Sequence, residues 1–389
     1  MKIPLGTPFL KKDIILKELE KVVDSRWISG GPTIQKFENA IKEYNKDPDG
    51  HYIALSNGTV AIELALLAVN EGLRYKKNDE VIVPSWSWVA SGFSPLNVGA
   101  KSVWCDVNQY GVAYAEDIEK RITKKTKAVI VVHQMGIPCD MDKINDMAKK
   151  YKIPVIEDAA CAIGSEYKGL KIGNSKNIVT YSFQARKVLT TGEGGMIIVR
   201  NEKDAEWLRS MRAFGTNTSP LERDRANYLL KENFDKIGSN HKMSDISAAV
   251  GLAHLSYIDE EIELRKQVAL YYDKLLTENY LSQGKVELAT VIPDYCTKCN
   301  YQNYHIILDW VYMRDSIVDS LRKKEIGSKW DIQCTHLEPS INSKEKLEQS
   351  EKFHKRGMWL PFFAEITRDQ QDIVVQNLKT ILHESHQSM

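Results

Sequence analysis

Six cysteines in 389 residues are too few for a disulfide scaffold. Cys105, Cys139, Cys161 and Cys334 lie in otherwise ordinary segments, and only Cys296 and Cys299, in DYCTKCNYQN, stand at CxxC spacing. That spacing makes half a zinc site or a redox dithiol, but no second CxxC and no helix-opening pattern accompanies it. A structurally inert pair in a loop is the expectation, and no metal site is assigned. Charge of neither sign dominates: 53 Lys and Arg face 52 Asp and Glu. The near balance leaves no polybasic footprint, so neither nucleic acid nor a membrane is an expected partner. No run reaches the roughly 18 apolar residues of a membrane span, and MKIPLGTPFLKKDIILKELE lacks the apolar core of a signal peptide. A cytoplasmic location is the default expectation. Repeats and low-complexity tracts are missing as well.

At this length the chain should divide into two packed units. Residues 11–24 and 33–46 read as amphipathic helices separated by the break WISGGP. Strand and helix patterns then alternate. Strands are expected at 52–56, 80–84, 102–106, 127–133, 153–158, 177–183 and 196–200, and helices include 57–69 and 140–150. Apolar strands separated by helical runs argue for an α/β fold whose mostly parallel sheet is covered on both faces. A dinucleotide-binding fold wants GxGxxG after its first strand, and this chain has SNGTVA there. From about residue 203 periodicity fades, and RAFGTNTSPLERDRANYLLKENFDKIGSN reads as a long polar excursion. Residues 243–280 turn helical again; a strand at 304–310, a helix from about Met313 and a terminal helix 368–382 follow. The expected division is 1–255, an amino-terminal arm and large domain, and 256–389, a small carboxyl-terminal α+β domain.

Two of these strands end in ionisable groups. IPVIED delivers Glu157 and Asp158, and NIVTYSF leads to Lys187 just before the glycine-rich TTGEGG. An amine and a carboxylate at the carboxyl ends of neighbouring strands are what pyridoxal phosphate requires. The amine forms a Schiff base with the aldehyde, and the carboxylate keeps the pyridine nitrogen protonated so that the ring accepts electrons. Gly58 and Thr59 begin a helix after a strand, where amides and the helix terminus suit a phosphate dianion.

The ordered series WISGGPTIQKFE, SNGTVAIELAL, VIVPSWSWVAS, HQMGIPCDMDKI, IPVIEDAACAIGS, SFQARKVLTTGEGG and GSNHKMSDISAAVGLAHL resembles the DegT/DnrJ/EryC1/StrS family of sugar aminotransferases. The ending WLPFFAEITRDQQDIVVQNL is similar to it more weakly. The resemblance implies pyridoxal-phosphate fold type I, the aspartate aminotransferase-like fold, with a large domain and a smaller one. It implies Lys187 as the cofactor-linked lysine and acid–base, and Asp158 as partner of the pyridine nitrogen. Gly58, Thr59 and Ser182 would hold the phosphate, Trp88 would stack on the ring, and Asn240 would reach the phosphate of the neighbouring subunit of a homodimer. Cys161 stands near the cofactor where relatives often carry histidine or glutamine. Gln184, His305, Lys329 and His336 are candidate substrate contacts. The implied reaction moves an amino group from L-glutamate, or alternatively L-glutamine, to a keto sugar, most often nucleotide-linked, for surface polysaccharides such as lipopolysaccharide O-antigen. Lysine rather than histidine at 187 favours transamination over the sugar dehydration of some relatives; an inactive homologue of the same fold is the third reading.

Overall fold

The computed structural model describes residues 2–218, 220–279, 286–288, 291–309 and 314–387. Helices α1 (Lys12–Ser25) and α2 (Pro32–Tyr44) lead into β1 (His51–Leu55), α3 (Gly58–Val69), β2 (Glu80–Pro84), α4 (Val89–Asn97) and β3 (Lys101–Cys105). Next come α5 (Ala115–Lys120), β4 (Thr126–Val132), α6 (Met141–Tyr151) and β5 (Val155–Asp158). The short β6 (Glu166–Tyr167) and β7 (Leu170–Lys171) precede β8 (Ile178–Ser182), β9 (Gly195–Val199) and α7 (Glu202–Met211). The polar excursion holds α8 (Pro220–Arg225), and α9 (Asp245–Leu255) and α10 (Ile258–Asn279) follow. The last part contains β10 (Val286–Leu288), β11 (Cys296–Lys298), β12 (His305–Leu308), α11 (Arg314–Lys323) and β13 (Lys329–Trp330). It closes with α12 (Glu348–Arg356), β14 (Gly357–Trp359) and α13 (Arg368–Gln387). Trp310 and Met313, at the expected strand end and helix start, lie outside the described residues.

Seven strands form one sheet in the order β1-β9-β8-β5-β4-β2-β3. Every neighbouring pair is parallel except the two made by β9, so the sheet is mostly parallel with one reversed strand. Strand alternation sorts its side chains into two layers. Ile53 and Leu55 of β1 join the core under α3 and α7, whereas Tyr52 and Ala54 join Phe37 and Ile41 of α2 and Ala248 of α9. Covering both faces makes β4, β5 and β9 almost wholly buried, which is why they read as continuous apolar runs.

The smaller unit is a four-stranded antiparallel sheet, β10-β12-β14-β13, whose core takes in Tyr272 and Leu276 of α10, Ile317 of α11 and Val374 and Leu378 of α13. Ile3 belongs to that core, pairs with Ile326, and is followed by Leu5, whose carbonyl accepts the Phe362 amide at 2.8 Å. The first residues, grouped with the large unit on sequence grounds, thus contact the small one. Cys296 and Cys299 are buried free thiols, and Cys296 opens β11, which pairs with β6. A hydrogen bond with Cys299 and burial push the Cys296 thiol far up, the state of an inert thiol. Among the described residues no cluster of His, Cys, Asp and Glu could hold a metal, and no helix is long and apolar enough to cross a membrane.

Two helices arise where the sequence shows weak periodicity. In α7 only Ala205, Leu208 and Met211 are buried, a narrow stripe, and the start is fixed by the Asn201 side chain accepting the Asp204 amide. Helix α4 is only nine residues long and carries Pro95 in its interior.

Candidate active site

The carboxyl ends of β5 and β8 lie side by side, with Asp158 opposite Thr180. Asp158 is buried, and its Oδ2 accepts the Ser91 hydroxyl at 2.7 Å while Oδ1 accepts the Ala160 amide at 3.1 Å. Ser91 sits in the first turn of α4, a contact the sequence reading missed. Its signal was the spacing of three from Trp88, which puts both on one side of that helix. Alternation sends Glu157 to the other face of the sheet. There it meets His133 Nε2 at 2.9 Å, Asn177 Nδ2 at 2.7 Å and the Ser175 hydroxyl. Burial alone would raise the Glu157 carboxyl, but these donors outweigh it and hold it below the ordinary carboxylate range.

Lys187 follows a tight turn in which its amide donates to the Gln184 carbonyl at 2.8 Å. The Gln184 side chain caps the same turn, its Oε1 accepting the Arg186 amide at 2.9 Å. Past the lysine the chain folds back on Phe183, whose carbonyl accepts from the Thr191 amide and the Thr190 hydroxyl, each at 3.0 Å. Gly192 turns there at φ +82°, a conformation open to glycine. The Thr190 amide also donates to His254 Nδ1 at 3.2 Å, and His254 contacts Glu261, which pairs with Arg265; all three are buried. The lysine loop is thereby tied to both α9 and α10. Lys187 Nζ donates to Cys161 Sγ at 3.1 Å, and Cys161 is the one cysteine of the six that is not buried.

At the start of α3, Asn57 Oδ1 accepts the Val60 amide at 2.9 Å, and the Gly58 and Thr59 amides meet no acceptor among the described residues. They are free N-terminal donors of a twelve-residue helix. A Cβ on Gly58 would stand 2.8 Å from Ser182 Cβ, so glycine is what lets this helix start approach the end of β8. Gly195 is needed for the same reason, since a side chain there would run into the Asn57 carbonyl.

Trp86 and Trp88 do not share a side, because β2 ends at Pro84 and the chain turns into α4 rather than continuing extended. Trp86 is fully buried against Phe353 and His305, whereas Trp88 is 60% exposed beside Lys329, whose ammonium lies 5.9 Å from its ring. His305 and His336, expected as substrate walls, are interior residues with no exposed surface. His305 faces Asp331 at 3.1 Å, and His336 Nδ1 shares a 2.5 Å hydrogen bond with the Ser85 hydroxyl. Burial drives the His336 imidazole down towards the neutral form. Asn240 is exposed and its Oδ1 accepts Lys242 Nζ at 2.8 Å. Its segment runs beside the end of β1, with the Ser56 amide donating to the His241 carbonyl at 2.8 Å.

An amine, a buried carboxylate and a helix start with two free amides over a serine hydroxyl fit pyridoxal phosphate, and the close approach at Gly58 forms the cradle for its phosphate. Residues 10–379 match the DegT/DnrJ/EryC1/StrS aminotransferase family. The chain is 34% identical to GDP-perosamine synthase of Escherichia coli O157:H7, over 95% of this chain and 97% of that one. Identity to GDP-perosamine synthase of Caulobacter vibrioides is 32%, over 98% of each. In fold it is similar to the aminotransferase TlmJ from Streptoalloteichus hindustanus, with a TM-score of 0.88, 24% identity and coverage of 99% of this chain and 100% of that one. Helicobacter pylori PseC, an aminotransferase involved in the biosynthesis of pseudoaminic acid, matches at the same TM-score of 0.88 with 21% identity, covering 99% of this chain and 100% of that chain. Sequence, fold and cofactor chemistry converge: the chain belongs to the DegT/DnrJ/EryC1/StrS family and is a pyridoxal-phosphate-dependent aminotransferase.

Proposed function

We propose that this enzyme transfers the amino group of L-glutamate to the ketone of a nucleotide-linked keto sugar, yielding an amino sugar for surface polysaccharide synthesis. The observation that carries the reading is the placement of Lys187 shortly past the end of β8 and of the buried Asp158 at the end of the neighbouring β5, in a chain a third identical to two GDP-perosamine synthases. When bound, pyridoxal phosphate supplies an aldehyde carbon and an electron-accepting ring. Asp158, fixed by Ser91 and the Ala160 amide, holds the proton on the ring nitrogen. Gly58, Thr59 and Ser182 bind the phosphate, and Trp88 covers a ring face and excludes water from it. Lys187 Nζ, once neutral, takes the proton from the α-carbon of the donor and later returns one to the carbon that receives nitrogen. Gln184 keeps the backbone turn under Lys187 in place. Asn240 of a second copy completes the phosphate site, making a homodimer the working unit. Large apolar side chains left in water support that assembly: Leu229 and Ile237 are 95% and 98% exposed on the segment that leads to Asn240.

The test is a panel of GDP-, UDP- and dTDP-linked keto sugars incubated with glutamate and enzyme, read by product mass. Exchange of a carbonyl oxygen for an amino group with matching 2-oxoglutarate release is expected on at least one of them. Consumption of sugar without 2-oxoglutarate would instead identify a dehydratase.

A further inference from the structure

Lys329 is a cation in an unusual setting. It lies at the start of β13, partly buried, with its ammonium 5.9 Å from the Trp88 ring and 5.2 Å from the Trp359 ring. No carboxylate pairs with it at ion-pair distance among the described residues, and the same holds for Arg186, whose side chain is exposed. The acid whose charge reaches Lys329 has other contacts: Asp331 Oδ1 accepts the Trp359 indole at 2.8 Å and its Oδ2 faces His305. Burial, then the charge of Arg186, depress the Lys329 ammonium against a smaller opposing pull from Asp331, so Lys329 feels a second cation more strongly than it feels the one acid. A half-buried cation next to a second cation is unfavourable unless something negative arrives. Arg186 immediately precedes Lys187, and its backbone is fixed from both sides, by Gln184 and by Gln302 Nε2 donating to its carbonyl at 2.7 Å. Trp88 sits one helical turn before Ser91, the residue that orients Asp158. The unpaired charges therefore stand at the mouth of the candidate active site, not on a remote surface.

We propose that Lys329 and Arg186 form an oxyanion subsite, walled by Trp88 and Trp359, that takes the diphosphate of the acceptor. The assignment rests on the nucleotide-linked reading of the acceptor. Arginine gives a fixed fork of donors and lysine a mobile point charge, a combination suited to two linked phosphates. The indole faces attract the lysine ammonium without neutralising it, which leaves its charge open to an incoming anion. A carboxylate is the other oxyanion an aminotransferase meets, on its amino donor, and the experiment separates the two sources.

Pyridoxal-phosphate-loaded enzyme is titrated calorimetrically with inorganic pyrophosphate and, separately, with glutarate. Lys329→Met and Arg186→Met are each expected to weaken pyrophosphate about tenfold or more, with Lys329→Arg restoring most of it, while glutarate binding changes less than twofold. Unchanged pyrophosphate affinity in both variants overturns the proposal, as does a loss confined to glutarate, which would give the cations to the donor. With a nucleotide-linked acceptor, the variants should raise KM more than they lower kcat. If wild-type enzyme aminates no nucleotide-linked sugar, the broader reading fails. If it aminates one and Lys329→Met keeps the same KM, only the subsite fails.

Discussion

Lys187 and Asp158 owe their roles to what surrounds them rather than to their own chemistry. Lys187→Ala should abolish turnover while the fold survives, since among the described residues the lysine side chain bonds only to Cys161. Borohydride treatment of wild-type enzyme followed by peptide mass mapping should find the cofactor mass on Lys187; a mass on another lysine would remove the assignment. Gly58→Ala tests the phosphate cradle. The new Cβ would stand 2.8 Å from that of Ser182, so β8 or the helix start must shift, at about 1–3 kcal/mol. Pyridoxal-phosphate affinity should fall roughly five- to a hundredfold, measured by equilibrium dialysis. Glu157 gives a pH signature. Its folded carboxyl titrates below its unfolded value, so its stabilisation is complete above about pH 4.5 and is lost as pH falls through the folded pKa. Melting temperature should therefore drop more steeply for wild type than for Glu157→Gln as pH is lowered from 5 to 3, on the order of the acid range set by a carboxylate.

At the scale of elements, the lysine loop hangs on a buried relay that crosses the junction of α9 and α10. Thr190, His254, Glu261 and Arg265 form it, and Glu261 has no exposed surface. Glu261→Gln leaves the Arg265 guanidinium buried without its charge partner, a loss of about 3–5 kcal/mol. Urea denaturation should show a lower midpoint with an unchanged slope. A variant of wild-type stability would show that the relay does not hold this junction.

For the whole molecule, the decisive question is whether active sites are shared. If Asn240 reaches the phosphate of a second copy, Asn240→Ala should cost about 1.5–3 kcal/mol of cofactor binding without unfolding the chain. Mixing inactive Lys187→Ala chains with impaired Asn240→Ala chains should restore part of the activity, because one site of each heterodimer then carries neither change. No recovery despite proven subunit exchange counts against sharing, and a fully active monomer ends the idea.

Much of this was legible in the chain. Continuous apolar strands such as KAVIVV announced a sheet covered on both faces, and SNGTVA after the first strand announced a helix start free to bind an anion. Lys187 and Asp158 could be chosen because each ends or closely follows an apolar strand, and strand ends are local information. Tertiary structure decided what depends on the third dimension. It reversed β9, a choice set by hydrogen-bond partners 140 residues apart in β1 and close by in β8, which no local pattern encodes. It buried Trp86 and exposed Trp88, because the chain turns at Pro84 instead of continuing as a strand. It took His305 and His336 into the interior, His305 facing Asp331 and His336 bonded to Ser85, 251 positions away in the sequence. Sequence supplies the chemical groups and their local backbone; which face each meets, and which charge stays without a partner, is settled only when distant segments pack.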